Sequence, residues 1–342
     1  MTYQMSKLNQ DGMPRLLDGI ENVEQWNEKI NAIRKVWFDY IGELPARVPV
    51  SYEVVSEIQE EDHVRKHIIY NTVYEDKVTA YLLIPNALFQ KPKHSPVPAI
   101  MALHPTGPFG KDRVAIPPKD QNRKYGIELV SRGYVVLAPD ALTSGERIYE
   151  GCQHFDSSKF YEQHPTWSTV GKNLIDHMQG VDLLCSLEFV DSSRIGTIGH
   201  SFGGYNSYFL AGVDRRIKAV VSSCGFSPFT GDPAPQHWGY RKFPYTHLPK
   251  ISADLEKNQV PFEFHEIAAL TASIPFFNYS AQSDWIFPHW KAVGDGMHEL
   301  HKLYEWLGYE DRFRSYIGAG THDFPPEIRV IAYGFLDKWL KV

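Results

Sequence analysis

Gly199-His200-Ser201-Phe202-Gly203 sets a serine between two glycines, each two positions away. The β-branched run RIGTIG (194–199) precedes it, and an apolar stretch suited to a helix follows from Phe202. A serine at such a strand–turn–helix junction is held in strained backbone angles with its Oγ exposed. The start of the following helix then points partial positive charge at any negative charge developing nearby. Neighbouring side chains would clash in so sharp a turn, which accounts for the glycines. A plain Ser-Gly turn is the bland alternative. The strand before and the helix after favour a nucleophile.

A serine hydroxyl needs a base, and the base needs an orienting acid. At an elbow of this kind the expected chain order is Ser, acid, His. Of the 15 histidines, His322 has the fitting position, in the loop GAGTHDF between the strand-like FRSYIGAG and the last helix. Asp284 ends the preceding strand, PFFNYSAQSD, and could accept the Nδ1 proton of His322. Its alternative reading is a turn or helix-capping aspartate. Asp295 falls within a helix, Asp311 before the last strand, and Asp323 beside the base, so all three fit less well. An oxyanion hole needs two N–H groups. Phe202, directly after the nucleophile, is one candidate. The other falls in His104-Pro105-Thr106-Gly107, the loop after PAIMALH. Pro105 has no N–H, so Thr106 is expected ahead of Gly107, with His104 bracing the loop.

These residues need a scaffold. Ile20, Val23, Trp26, Ile30, Ile33, Val36, Trp37 and Tyr40 recur at three- and four-residue steps, predicting an N-terminal helix over 16–41 that Pro45 stops. SYEVVSEI, VRKHIIYNTVY and VTAYLLIP read as a three-strand meander; Val78, Ala80, Leu82 and Ile84 alternate with period two. From residue 98 onward, short apolar strands alternate with helices predicted at 119–132, 167–189, from 202, 289–306 and 326–341. That rhythm predicts a parallel sheet with helices on both faces and a site at its C-terminal strand ends. The stretch 226–272 breaks it with six prolines and the aromatics Trp238, Tyr240, Phe243 and Tyr245. It reads as an irregular lid.

Composition narrows the function class. With 342 residues, 43% apolar, the chain suits one large α/β domain, expected as an N-terminal helical extension (1–48) and a main domain (49–342) with the lid. A net charge of -6 with dispersed basic residues gives no nucleic-acid footprint. No stretch approaches the roughly 20 apolar residues of a membrane span. Three cysteines without a CxxC pattern, and an N-terminus lacking a signal-peptide core, suggest a reducing, cytoplasmic setting. Cys224 reads as a buried, inert thiol. The pairs His63/His67 and His298/His301 lack a third ligand at metal spacing, so no metal site is expected. The aromatic N-terminal helix leaves a homo-oligomer open.

The HPTG loop, the GHSFGG elbow, Asp284 and THDF, in that order, resemble the α/β-hydrolase superfamily from about residue 50 onward. GELP, RGYVVLAPDALTSGER, VDSSRIGTIGHSFGG and THDFPPE are similar to its dienelactone hydrolase and acetyl xylan esterase-like branch. The nucleophile is serine rather than the cysteine frequent in dienelactone hydrolases, which turns expectation from lactones to esters. The resemblance implies an α/β-hydrolase fold, a Ser201–Asp284–His322 triad, and a structural role for Gly145-Glu146-Arg147. It also implies a serine carboxylesterase that acts on a small ester, with a short acyl group on a carbohydrate or similar alcohol, without a cofactor. Trp238, Tyr240 and Trp285 are candidate substrate contacts. The competing readings are a peptidase similar to prolyl oligopeptidases, which lacks its propeller repeats here, and a non-catalytic α/β-hydrolase shell that binds a ligand.

Overall fold

A computed structural model describes residues 2–90, 95–116, 121–241 and 245–341. Phe243 and Pro244 of the expected lid, and the start of the helix expected at 119, lie outside them. The strands are β1 (Tyr3–Gln4), β2 (Tyr52–Gln59), β3 (His63–Asn71), β4 (Lys77–Pro85), β5 (Val97–Leu103), β6 (Val135–Pro139), β7 (Val190–His200), β8 (Ile217–Ser223), β9 (Gln259–Val260), β10 (Phe276–Ala281) and β11 (Phe313–Gly318).

Nine of them form one sheet in the order β11-β10-β8-β7-β5-β6-β4-β3-β2. The meander β2–β3–β4 is antiparallel, as is its join to β6. Strands β6, β5, β7, β8, β10 and β11 run parallel to one another. Side-chain alternation divides the core into two layers. Val78, Ala80, Leu82 and Ile84 face one layer together with Ala99, Met101 and Leu103. Tyr81, Leu83, Ile100 and Ala102 face the other. Strands buried on both faces cannot keep a polar side, which is why these runs read as nearly continuous apolar segments.

From β5 the chain crosses to β6 on one side, then to β7 on the other. Strand order therefore reverses at β5, and a crevice opens at the C-terminal ends of β5 and β7. Ser201 follows β7 directly, and His104–Gly107 follow β5.

Two elements differ from expectation. The N-terminal helix starts at Val23, not near residue 16, because the Asn22 side chain caps it by accepting the Gln25 N–H at 3.0 Å. It is more than an appendage, since its Trp37 is fully buried against Phe209 and Phe262 in the main core. The segment 226–272 is not irregular throughout. It contains helices Pro249–Glu256 and Phe264–Ala268, and β9 pairs antiparallel with β1. Glu263 anchors it. The buried carboxylate accepts the amides of Phe229 at 2.7 Å and of Thr230 and Phe264 at 2.8 Å, and forms a capping box with Glu266.

Candidate active site

Ser201 has φ 55° and ψ −116°, a conformation costly for a residue with a Cβ. Surrounding contacts hold it there. The Ser201 N–H donates to Ser223 O at 2.7 Å, fixing the turn to the end of β8. A Cβ on Gly199 would lie 2.2 Å from the backbone of Gly203, and one on Gly203 would lie 2.0 Å from Leu103 O. The two glycines therefore let the helix Phe202–Val213 pack directly against β5 and β7, which lifts the serine out of the strand end.

The structure brings Ser201, His322 and Asp284 into one hydrogen-bonded chain. Ser201 Oγ lies 2.8 Å from His322 Nε2, and His322 Nδ1 lies 2.7 Å from Asp284 Oδ2. The second carboxylate oxygen, Oδ1, accepts the amides of Ile286 and Phe287 at 2.8 and 2.9 Å. The Gln282 and Ser283 amides donate to Gly318 and Gly320, so the acid and base loops are stitched together. Burial alone would raise the Asp284 carboxyl. The hydrogen bond from His322 and the two amides outweigh it and hold the group below the ordinary carboxylate range. The rival acids are engaged elsewhere or exposed. Asp323 binds Arg123 and Asn122, Asp311 pairs with Lys338, and Asp295 faces solvent.

Phe202 opens its helix, so its N–H precedes the first intrahelical bond. Thr106 lines the same cavity as Ser201. The ring of His104 lies 2.8 Å (Nδ1) from Pro105 O and 3.0 Å (Nε2) from the Ala141 N–H. Nε2 accepts, so Nδ1 carries the proton and donates. In a trans peptide the N–H points opposite the carbonyl. Holding Pro105 O toward His104 therefore turns the Thr106 N–H away from it. Burial keeps the His104 imidazole below its usual pKa, which suits this neutral tautomer. His200, inside the elbow, is likewise pushed well down by burial and by nearby Arg123.

A buried ion network underpins the loop after β5. Asp140 accepts Lys111 Nζ at 2.7 Å, the Lys111 amide at 2.8 Å and Thr79 Oγ1 at 2.7 Å. Lys111 also pairs with Glu146. Arg147 pairs with Asp76 and Asp176 at 2.7 and 2.9 Å. Glu146 and Arg147 thus tie this loop to the meander and to the helix Thr169–Ser186. His67 sits 3.1 Å from Glu146 and His63 2.6 Å from Asp62, whereas His298 and His301 are exposed.

The cavity over Ser201 measures about 360 Å³ and is lined by Thr106, His322, Tyr205, Phe287 and Trp285, among others. Trp285 is 74% exposed, with its ring 6.3 Å from that of His322. The other two aromatic expectations are not met. Trp238 is 1% exposed, packed on Phe264 inside the lid, and Tyr240 points to solvent; neither lines the cavity. Tyr205, one helical turn beyond the serine, and Arg113, Arg123 and Arg241 do line it and were not foreseen. A larger depression of about 1040 Å³ beside Gly42–Arg47 has no serine, cysteine or histidine in its lining.

Cys224, Asp284 and His322 offer ligand atoms within 4.8 Å of one another. Both carboxylate oxygens and both ring nitrogens are already hydrogen-bonded as described. Burial pushes the Cys224 thiol far above its usual range, away from the thiolate a metal would prefer. The cluster fits a proton relay better than a metal centre.

Behind the cavity wall, Asp232 and His237 approach to 3.4 Å inside the lid, and the His237 ring packs 5.6 Å from Phe287. Burial pushes Asp232 up to about 7 and His237 down to about 3, so both are neutral in weak acid. A carboxyl with a raised folded pKa holds its proton more tightly when folded. Its contribution to stability is therefore lost as pH rises from its unfolded value, about 4, through about 7. His237 has the opposite sign, losing stability as pH falls from about 6.5 to about 3. Asp232→Asn should remove only the first effect. The variant's Tm is expected to gain on the wild type steadily between pH 5 and 7, then run parallel above it. A Tm difference independent of pH would contradict this reading.

Known proteins resemble the chain in both sequence and fold. The prolyl oligopeptidase family model matches residues 123–257, a span that holds Ser201 but neither Asp284 nor His322. YtaP of Bacillus subtilis (strain 168), whose name says no more than hydrolase, is 29% identical over 90% of this chain and 98% of its own. Dipeptidyl-peptidase 5 of Porphyromonas gingivalis is 33% identical over 30% of this chain, a region that is only 14% of that protein. A glucuronoyl esterase from Solibacter usitatus superposes with a TM-score of 0.72 at 20% identity, covering 96% of this chain and 95% of its own. Acetyl xylan esterase 1 from Thermoanaerobacterium sp. JW/SL YS485 gives 0.55 at 14% identity, covering 92% of each chain. With a mostly parallel sheet reversing at β5, a strained serine after β7, and a likeness to esterase folds over nearly its whole length, the chain has the α/β-hydrolase fold.

Proposed function

We propose that the protein is a serine carboxylesterase acting through an acyl-enzyme on Ser201. The observation that carries this reading is the Ser201–His322–Asp284 chain, with bonds of 2.8 and 2.7 Å, at the strained elbow. Ser201 Oγ attacks the ester carbonyl while its proton passes to His322 Nε2. The carbonyl oxygen becomes an oxyanion held by the Phe202 and Thr106 amides. As the intermediate collapses, the Nε2 proton goes to the departing alkoxide. Water then gives a proton to Nε2 and attacks the acyl carbon; Ser201 recovers its proton as the acid leaves. Throughout, Asp284 stabilises the imidazolium and fixes which nitrogen is protonated.

A small ester, with a short acyl group or a carbohydrate as the alcohol, fits the 360 Å³ cavity and the carbohydrate esterases among the structural relatives. The free cysteines suit a reducing, cytoplasmic setting. The prolyl oligopeptidase match favours a second reading, hydrolysis of a peptide amide. Initial rates on p-nitrophenyl acetate and alanyl-prolyl p-nitroanilide separate the two. Acetate turnover that vanishes in Ser201→Ala supports the esterase, and turnover of the anilide alone overturns it.

Asp284→Asn should lower kcat by about ten-thousand-fold, because an amide at that position favours the wrong His322 tautomer. Circular dichroism should show the fold retained. A loss below ten-fold would exclude Asp284 as the orienting acid.

A further inference from the structure

Tyr205 lines the cavity over Ser201 and takes no part in the proposed mechanism. It lies four residues after the nucleophile on the helix Phe202–Val213, about one 5.4 Å turn farther along the axis. Behind it stands the lid. Tyr205 OH is hydrogen-bonded to His247 Nε2, and His247 is not among the described residues that line the cavity. Tyr205 thus separates His247 from the space where substrate binds. The segment that carries His247 is held fast. Thr246 O accepts Tyr161 OH at 2.8 Å and Thr169 Oγ1 at 2.7 Å, and the Thr246 N–H donates to Ser157 Oγ at 3.0 Å.

The direction of the Tyr205–His247 bond follows from charge and tautomer. Burial pushes the Tyr205 phenol well above its usual pKa and the His247 imidazole well below, so both are neutral. A neutral imidazole carries one N–H. His247 Nδ1 makes no hydrogen bond of good geometry, yet the His237 backbone is near enough to favour a proton on the ring. A carbonyl can only accept, so that proton belongs on Nδ1. Nε2 then accepts, and Tyr205 O–H donates to it. The phenol oxygen keeps a lone pair for a further donor, and donating to His247 makes it a better acceptor. Because the pair carries no charge, it suits a neutral donor such as a hydroxyl.

The side of the ester that Tyr205 meets follows from the proton path. His322 Nε2 hands its proton to the departing alkoxide, so the alcohol lies on the His322 side. The His322 ring packs against His200, Trp285 and Phe287. The Tyr205 ring packs against Phe202, Trp238 and His247. These two sets share no residue, so Tyr205 stands apart from the alcohol side, where the acyl group extends.

We infer that Tyr205 is a specificity residue whose phenol oxygen accepts a hydrogen bond from a hydroxyl on the acyl group, so that the substrates are esters of short hydroxy acids. The turnover arm of the test rests on the serine esterase reading, and the binding arm does not.

The test compares p-nitrophenyl β-hydroxybutyrate, each enantiomer in turn, with the β-methyl and β-fluoro analogues. Methyl matches hydroxyl in size. Fluorine withdraws electrons as hydroxyl does but donates no hydrogen bond. All share one leaving group, so differences in kcat/KM arise in the acyl part. One enantiomer of the hydroxy ester should be favoured about ten-fold over both controls. In Tyr205→Phe that ratio should fall to about one. A merely structural role would slow all the esters alike and leave the ratio in place. Fluorophosphonate labelling of the variant checks that its elbow is folded. In parallel, ligand-observed NMR on Ser201→Ala compares methyl β-hydroxybutyrate with its β-methyl analogue. The hydroxy ligand should bind more tightly, and adding Tyr205→Phe should abolish the difference.

Equal rates on hydroxy and control esters in an active wild type, or a preference that survives Tyr205→Phe, would overturn the inference and leave the esterase intact. If no ester is turned over, yet Ser201→Ala prefers the hydroxy ligand and loses that preference with Tyr205→Phe, the hydroxyl contact stands and the esterase reading falls. With neither turnover nor a binding preference, both fall.

Discussion

Ser201→Ala is expected to lower kcat for ester hydrolysis by about 10⁵- to 10⁶-fold while leaving Tm nearly unchanged. The oxygen that forms the acyl bond is gone, and at 1.36 kcal/mol per factor of ten the loss is about 7–8 kcal/mol of transition-state stabilisation. Folding should not suffer, because the backbone contact that fixes the turn, Ser201 N–H to Ser223 O, survives the change. His322→Ala should cost nearly as much, since a serine hydroxyl without a base is a poor nucleophile. The double variant should be no worse than either single one. Groups that act in one proton relay are not additive, and what remains is the contribution of the oxyanion hole and binding. Steady-state kinetics on p-nitrophenyl acetate would show this. Additive losses in the double variant would mean that Ser201 and His322 act separately, against the 2.8 Å contact between them.

Gly203→Ala should damage both fold and activity. The new Cβ would lie 2.0 Å from Leu103 O and 2.6 Å from Leu103 C, both backbone atoms of β5 that cannot turn aside. The helix Phe202–Val213 must then move off the sheet, carrying the elbow and the Phe202 amide with it. Overpacking of this severity should cost more than about 3 kcal/mol in a denaturant titration. Ester turnover should fall with it, because an ångström of displacement misaligns Oγ and the oxyanion donors. Gly334→Ala is the matched control. It lies in the helix Pro326–Leu340 with nothing within 4 Å of its would-be Cβ, and it should gain about 0.5–1 kcal/mol from helix propensity. If Gly203→Ala proved as mild as the control, the close approach of helix and strand would not be what holds the elbow.

How much of this was legible in the sequence depended on whether the signal was local. Ser201 was readable because its glycines, strand and helix lie within a dozen residues and each constrains the same turn. His322 and Asp284 were readable as the polar ends of apolar strands, where a parallel sheet opens its crevice. The β4 alternation was readable because a period of two survives burial on both faces. The lid aromatics were not. Trp238 and Tyr240 are neighbours of similar type, yet one is buried on Phe264 and the other is 61% exposed. Composition carries no information on which side of a lid a ring falls. Nor was the cluster of Arg113, Arg123 and Arg241 readable, since it is created by folding three segments together and each arginine alone resembles an ordinary surface cation. The N-terminal helix was over-extended because Ile20 continues its apolar spacing, while the Asn22 cap decides the start.

The central claim is that Ser201 is the activated nucleophile. Its most direct test is reaction with a fluorophosphonate, read by intact mass and peptide mapping. The account predicts a single adduct on Ser201, absent from Ser201→Ala and formed far more slowly in His322→Ala. An adduct on another residue, or none in a preparation that hydrolyses p-nitrophenyl acetate, would contradict it.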